Sequence, residues 1–303
     1  MPKKTYYGGQ AVMEGVMMRG QKTMVVAVRK PNGEIATDSQ QLASFYTGWA
    51  RKAPLIRGII ILIESVVLGI QTLMFSANVA MGETSEDEKE EISGGYLWLM
   101  VLIGVAFAVA IFFLAPLYIT RAFNIPSSSV LFPIIDGIIR LIFFVGYLFG
   151  VGFIPSIRRV FAYHGAEHMT VNAYENEVPL EVNSVRKFST AHIRCGTAFL
   201  FIVLVMAIVV FILVGLGKPP WWLLILSRIV LIPFIAAIAY EVTYFAGRHT
   251  KNPVVRALLA PGLWLQSFTT RKPDDSMLEV AITALKKVIE TEEPQTATPP
   301  ATP

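Results

Sequence analysis

The sequence has few charged residues for its length. Only 16% of its 303 residues are charged, whereas 54% are hydrophobic. A soluble domain has about a quarter of its residues charged, so the composition excludes an ordinary soluble protein. Residues 97–118 and 197–216 contain no charge at all, and each is about as long as a helix that crosses the hydrocarbon core of a bilayer. The sequence therefore predicts an integral membrane protein whose main partner is the lipid bilayer.

Other features are scarce or absent. The single cysteine, Cys195, excludes a disulfide within the chain, which fits a reducing compartment. The first 50 residues lack the short apolar core of a cleavable signal peptide. A net charge of +4 is too small to indicate a nucleic-acid partner. The sequence also contains no Walker phosphate loop, serine nucleophile elbow or Rossmann fingerprint, which excludes the enzyme classes built on them.

The composition divides the chain into regions. Residues 1–50 are predicted to form a cytosolic β-rich element, because "TMVVAVRK" and "EIATDSQQL" flank a "PNG" turn. Residues 51–272 form the membrane domain, in which the polar cytoplasmic loop 155–195 carries the candidate metal site. An amphipathic helix, 273–292, and a Pro-rich disordered tail, 293–303, are expected to follow.

Four segments have the length and composition of membrane-spanning helices: 97–118, 130–154, 197–216 and 221–245. A further apolar segment, 54–80, contains Arg57, Glu64 and Gln71, which a spanning helix tolerates only where they face protein or water. The expected fold class is therefore mainly α. It is a polytopic helical membrane protein with four spans, a re-entrant or interfacial helix and a small N-terminal β element.

Basic residues indicate the orientation of the chain. They cluster in 3–52, 155–195 and 248–272, whereas the connections 119–129 and 217–220 carry one each. Clusters of Lys and Arg near span ends lie on the cytoplasmic side. Both termini are therefore expected in the cytoplasm, with the chain in the inner (plasma) membrane. These placements agree only if the segment before the first span does not cross the bilayer.

The motif "YHGAEHMTVNAYE", residues 163–175, contains two of the four histidines. If this stretch is helical, His164 and His168 project from one face, and two imidazoles so placed can bind one metal ion. Glu167 between them gives the order H-x-x-E-H, the inverted zincin pattern, in which the glutamate polarises a metal-bound water. The alternative is that these interfacial histidines only satisfy hydrogen bonds.

Three more residues are candidate ligands. His192 and Cys195 lie in "STAHIRCGTAF", just before the next span, and the last span ends on the same side with Glu241. Zinc accepts nitrogen, oxygen and thiolate ligands, so a divalent metal, zinc above others, is the expected cofactor. Glu241 could instead pair with an arginine, and Cys195 could be a small residue that lets helices approach. His249 follows the last span on a loop and is not a candidate.

Four stretches occur in a fixed order: "GGQAVMEGVMMRG", "YHGAEHMTVNAYE", "HIRCGTAF" and "APGLWLQSFTTRKPDD". Together they resemble the YqhQ-like family of bacterial membrane proteins over nearly the whole chain apart from the Pro-rich tail. That family is functionally uncharacterised and is commonly labelled a predicted metal-dependent enzyme. Because the label itself derives from the His/Glu motif, it is not independent support for a metal. The resemblance implies that the Gly-rich N-terminal stretch and "PGLWLQSFTT" belong to one functional unit.

Two functions are compatible with these residues. The first is a membrane-embedded metal-dependent hydrolase at the cytoplasmic face, with Glu167 as general base and Glu175 as an alternate, acting on a lipid head group or a peptide segment. The second is a non-enzymatic assembly factor or transporter component with a structural metal site. Intramembrane charges such as Asp136, Arg140 and Arg228 favour it, because they indicate a pathway or pairing between helices. The sequence does not define the oligomeric state.

The orientation can be tested with topology reporters. Fusions placed after residue 45 and at the C-terminus should both report the cytoplasm, because all three basic clusters then lie on the side that Lys and Arg favour. An N-terminal fusion that reports the exterior would mean that residues 54–80 cross the membrane.

Overall fold

The computed structural model describes five stretches of the chain: 7–51, 53–82, 94–127, 129–249 and 252–292. The predicted tail, 293–303, lies outside them. Four strands come first: β1 (Gly8–Val12), β2 (Gly15–Arg19), β3 (Thr23–Arg29) and β4 (Ile35–Gln41). Twelve α-helices follow in the described residues: α1 (Ser44–Thr47), α2 (Ile56–Met81), α3 (Gly94–Val109), α4 (Ala115–Ala122), α5 (Leu131–Val151), α6 (Pro155–Glu175), α7 (Val182–Val185), α8 (Gly196–Leu216), α9 (Trp221–Val230), α10 (Ile232–Arg248), α11 (Pro253–Thr269) and α12 (Asp275–Glu292). The mainly helical fold with a small N-terminal sheet is confirmed.

The strands form an antiparallel meander in the order β1-β2-β3-β4. Successive side chains of a strand point to opposite faces of the sheet. In β3, Val25 and Ala27 are buried with residues of α6 and α12, while Val26 and Val28 are buried with residues of α2. The sheet is therefore covered on both faces, which explains why "TMVVAV" is apolar at nearly every position.

Helix α2 lies along the second face of the sheet. Arg19 Nε of β2 donates to Glu64 Oε1 at 2.8 Å, and the backbone N–H of Met13 donates to Ser76 Oγ at 3.2 Å. Leu68 is buried in the same apolar cluster as the strands. Residues from Glu64 towards the C-terminal end of α2 therefore contact the sheet.

These contacts leave too little of α2 to cross a bilayer, although the helix is long and apolar enough by length and composition alone. Only residues 56–63 precede the sheet contacts, a rise of about 12 Å against a hydrocarbon core of about 30 Å. Ile59, Ile63, Val66 and Leu73 are exposed on one stripe of the helix. Buried polar contacts on one face and exposed apolar residues on another are the properties of an interfacial helix.

The other apolar helices that could cross a membrane, by length and composition, are residues 99–122, α5 and α8. The pair α9 and α10 passes the same test when taken together, but it is bent by 50°. The segment 221–245, expected as one span, is therefore broken. Pro233 is the second residue of α10, just after the break, and a proline ring has no N–H to continue the main-chain hydrogen bonds of a helix.

Three buried charges connect α5 to α9. Arg140 Nη2 donates to Asp136 Oδ2 at 2.8 Å, and Arg228 Nη2 donates to the same oxygen at 3.2 Å. The ring of Phe211 lies 3.6 Å from the Arg228 guanidinium, a cation–π contact. Arg228 therefore pairs with Asp136 between two helices, whereas Arg140 pairs with the same carboxylate within α5.

The segment after the last span is more structured than its sequence indicated. α11 occupies much of the region 248–272, and Gly262 of α11 lies against Ala198 of α8. The expected amphipathic helix is present as α12, which buries Leu278, Ala281 and Leu285 with the sheet. The end of α11 reaches the motif on α6, and this positions the candidate site.

Candidate metal centre

Helix α6 includes the whole motif 163–175. It begins at Pro155, whose fixed φ suits the first position of a helix. Its Tyr163, Ala166 and Met169 side chains are buried with residues of the sheet and of α12. This packing fixes the rotation of α6 about its axis and so determines where the motif histidines point.

His164 and His168 lie side by side on α6, with ring centroids 4.3 Å apart. His164 Nδ1 is 2.8 Å from the backbone carbonyl oxygen of Thr269, and His168 Nδ1 is 2.5 Å from that of Thr190. A carbonyl only accepts, so each Nδ1 carries the proton and donates. In the neutral ring this leaves the lone pair on Nε2, which is the arrangement that metal-binding histidines have.

Cys195 lies beside the two histidines and is the third candidate ligand. Its Sγ lies 3.2 Å from His164 Nε2 and accepts a hydrogen bond from the backbone N–H of Thr197 at 3.4 Å. The residue caps the N-terminus of α8. Cys195 therefore does more than allow close helix packing.

One ring nitrogen of each histidine and Sγ of Cys195 lie within 4.8 Å of one another. Zn–N bonds of about 2.0–2.1 Å and a Zn–S bond of about 2.3 Å in a tetrahedron require ligand atoms about 3.3–3.6 Å apart. Shifts of about 1 Å in the side chains would bring the three candidate ligand atoms to the separations that a zinc ion requires. The group could therefore hold a metal ion, with three protein ligands and a fourth position open.

Glu167 borders this group. Its side chain is buried, and Oε2 lies 3.4 Å from His168 Nε2. On its other side the carboxylate meets Gly9 of β1, where any Cβ would lie 2.8 Å from Glu167 Cγ. The absence of a side chain at Gly9 thus leaves the space that Glu167 occupies.

His192 and Glu175 lie beside the group rather than within its three ligand atoms. The His192 ring centroid is 5.6 Å from that of His168, and its Nε2 is 3.6 Å from Glu175 Oε1. Burial lowers the pKa of His192, so the imidazole stays neutral near pH 7. Glu175 also forms an ion pair with Arg194. The role of His192 as a ligand stays a prediction.

Glu241 is not brought to the motif histidines. Its carboxylate accepts hydrogen bonds from Arg57 Nε at 2.8 Å and from the backbone N–H of Leu55 at 2.9 Å. The reason is that this part of α10 packs against α2, where Gly58 lies against Ala237. The alternative that the sequence left open, pairing with an arginine, therefore describes Glu241.

The sequence did not reveal the groups that orient the histidines. Two are backbone carbonyls, and a backbone carbonyl has no signature in residue type. A third is Gln266, whose amide accepts from the His192 N–H at 2.9 Å and donates to the His192 carbonyl at 2.8 Å. The sequence signal that could have identified Gln266 is its position in "PGLWLQSFTT", one of the stretches that carry the family resemblance.

Comparison with known proteins gives the family. The family described as "Protein of unknown function (DUF1385)" matches residues 53–291. The chain belongs to the DUF1385 family. The matched range includes α6, the loop with His192 and Cys195, and α11.

A curated relative is similar over almost its full length. The protein named "Uncharacterized protein YqhQ" from Bacillus subtilis (strain 168) is 34% identical over 302 residues, which cover 94% of this chain and 93% of that protein. The resemblance that the four motifs predicted is confirmed. Neither description states an activity. No solved structure matches the chain.

The close contact between α6 and the end of α11 can be tested at Gly165. A Cβ there would lie 2.1 Å from the backbone oxygen of Arg271, so Gly165→Ala should separate the two segments. We expect it to destabilise the protein by about 1–3 kcal/mol, the usual cost of overpacking. The measurement is the midpoint of thermal unfolding in detergent. Gly146→Ala is the control, because a Cβ at Gly146 meets nothing within 4 Å. Equal midpoints for the two variants would contradict this packing.

Proposed function

We propose that His164, His168 and Cys195 bind one divalent transition metal and that the protein is a membrane-embedded, metal-dependent hydrolase. The observation that carries the proposal is the grouping of both imidazoles with the cysteine, since each Nδ1 is bound to a carbonyl oxygen while His164 Nε2 lies 3.2 Å from Cys195 Sγ. Because each Nδ1 is engaged by a carbonyl, Nε2 is the nitrogen of each ring that could coordinate an ion. Two imidazoles and one thiolate favour zinc.

The site residues divide the chemistry between them. A bound divalent ion lowers the pKa of water and polarises the oxygen of the bond to be cleaved. Glu167, buried beside His168 Nε2, accepts the proton of the attacking water and then donates it to the leaving group. Glu175 is the alternate base, but it is already engaged with Arg194. His192 is a further ligand or a neutral neighbour of the site.

The location follows from the basic residues. The motif-bearing polar layer, made of the sheet, α6, α7 and α12, lies on the cytoplasmic side of the plasma membrane in this proposal, with both termini. A substrate at that face is either a lipid head group or a peptide segment. The alternative is a structural metal in an assembly factor or transporter component, which the paired intramembrane charges Asp136, Arg140 and Arg228 favour.

Metal content tests the ligand set. Purified protein should contain about one equivalent of zinc, and His164→Ala or His168→Ala should remove it, because two protein ligands no longer hold the ion. His249→Ala is the control, since this imidazole binds the carbonyl of Phe245 outside the group.

In cobalt-substituted protein, Cys195→Ser should remove the sulfur-to-metal charge-transfer absorption. Full metal occupancy in a variant lacking both motif histidines would refute the site.

Glu167→Gln separates an enzyme from a structural metal site. Glutamine is nearly isosteric, so we expect folding and metal content to persist while proton transfer is lost, about a hundredfold to ten-thousandfold in rate. The readout is complementation of a deletion strain, with metal content measured on the same protein. Normal complementation by Glu167→Gln together with failure of His164→Ala would show that the metal is structural.

A further inference from the structure

A cavity of about 550 Å³ lies next to the candidate metal centre and outside its ligand set. Its walls come from the segment that precedes α8, from the end of α11 with the residues that follow it, and from Met169 of α6. The polar residues that line it are Arg186, Ser189, Thr190, Ser267, Thr270, Arg271 and Lys272. The carbonyl of Thr190 also holds His168, so the cavity and the metal centre share a wall.

The cavity is positively charged. Arg271 and Lys272 are both exposed, and neither side chain forms an ion pair with any residue that the structure describes. Arg186 at the rim pairs with Asp275. The hydroxyl of Ser189 accepts from the backbone N–H of Ala191 at 3.0 Å, which leaves its own hydrogen for another acceptor. Two unpaired cations and a free hydroxyl donor are the groups that recognise phosphate.

An aromatic cluster lies near the cavity wall, since Ser267 of α11 lines the cavity and a Cβ at Gly152, at the end of α5, would lie 3.7 Å from Arg271 Nη2. Phe268 of α11 lies 5.0 Å from Trp264 and 6.4 Å from Phe149 of α5, and Phe149 lies 4.9 Å from Phe153, as ring-centroid distances. Trp264, Phe149 and Phe153 are each more than half exposed, at 57%, 55% and 68%. Exposed aromatic rings at the ends of apolar helices lie at the level of lipid headgroups. A molecule in the cavity would therefore be in reach of lipid.

We propose that this cavity binds the phosphate group of an anionic phospholipid, with the acyl chains against the aromatic cluster of Trp264, Phe268, Phe149 and Phe153. Arg271 and Lys272 contact the phosphate, and Ser189 donates a hydrogen bond to it. That this lipid is also the substrate rests on the proposed function, whereas the binding itself does not. The occupant contacts the segments whose carbonyls orient His164 and His168, which places a headgroup beside the metal centre.

The test uses full-length protein in detergent micelles that contain phosphatidic acid and phosphatidylcholine in equal amounts. Lipid retained by the protein is measured by native mass spectrometry. Wild-type protein should retain phosphatidic acid in preference, and the double variant Arg271→Gln, Lys272→Gln should lower that retention at least about tenfold, the effect of losing one charge-assisted hydrogen bond. The fold should survive, because neither side chain has an ion-pair partner among the described residues.

Arg256→Gln is the matched control, because Arg256 is an exposed cation on α11 that does not line the cavity. Retention by the double variant equal to that of wild type, or an equal loss in the control, would overturn the proposal. Displacement of the lipid by inorganic phosphate or glycerol phosphate at the affinity of the lipid would assign the cavity to a soluble phosphate instead. Wild-type protein that contains no metal but still retains phosphatidic acid would defeat only the proposed hydrolase.

Discussion

Two hydrogen bonds from imidazole nitrogens to backbone carbonyls determine what the candidate metal centre can bind. Thr269 at the end of α11 holds His164, and Thr190 before α8 holds His168. Each carbonyl engages Nδ1 and leaves Nε2 as the nitrogen that could bind an ion, and Nε2 of His164 lies beside Cys195 Sγ. Since the two carbonyls come from different segments, the centre exists only when both segments are packed against α6.

The rest of the polar layer supports that packing. The sheet and α12 bury one side of α6, and the missing side chains at Gly9 and Gly165 allow a strand and the α11 end to approach it closely. Glu167 is held between β1 and Nε2 of His168. The N-terminal sheet is therefore a structural part of the site, and it also binds α2 on its opposite face.

The charged residues of the chain serve separate purposes. Asp136, Arg140 and Arg228 pair within the apolar helices, and Arg57 pairs with Glu241 where α2 meets α10. Neither group contributes to the histidine cluster. The cations at the edge of the polar layer, Arg271 and Lys272, differ because they face a cavity beside exposed aromatic rings.

The sequence by itself determined the membrane class, the strands of the N-terminal element and the spacing that puts His164 and His168 on one face once their segment is helical. These depend on composition and on spacing within one segment, which local periodicity records. Only the tertiary structure decided that Cys195 joins the two histidines, that Glu241 belongs to Arg57, and that α2 lies on the sheet. Those outcomes depend on which distant segments meet. Several of the deciding contacts are made by backbone carbonyls or by a close approach at a glycine, and residue type does not show which segment will be the partner.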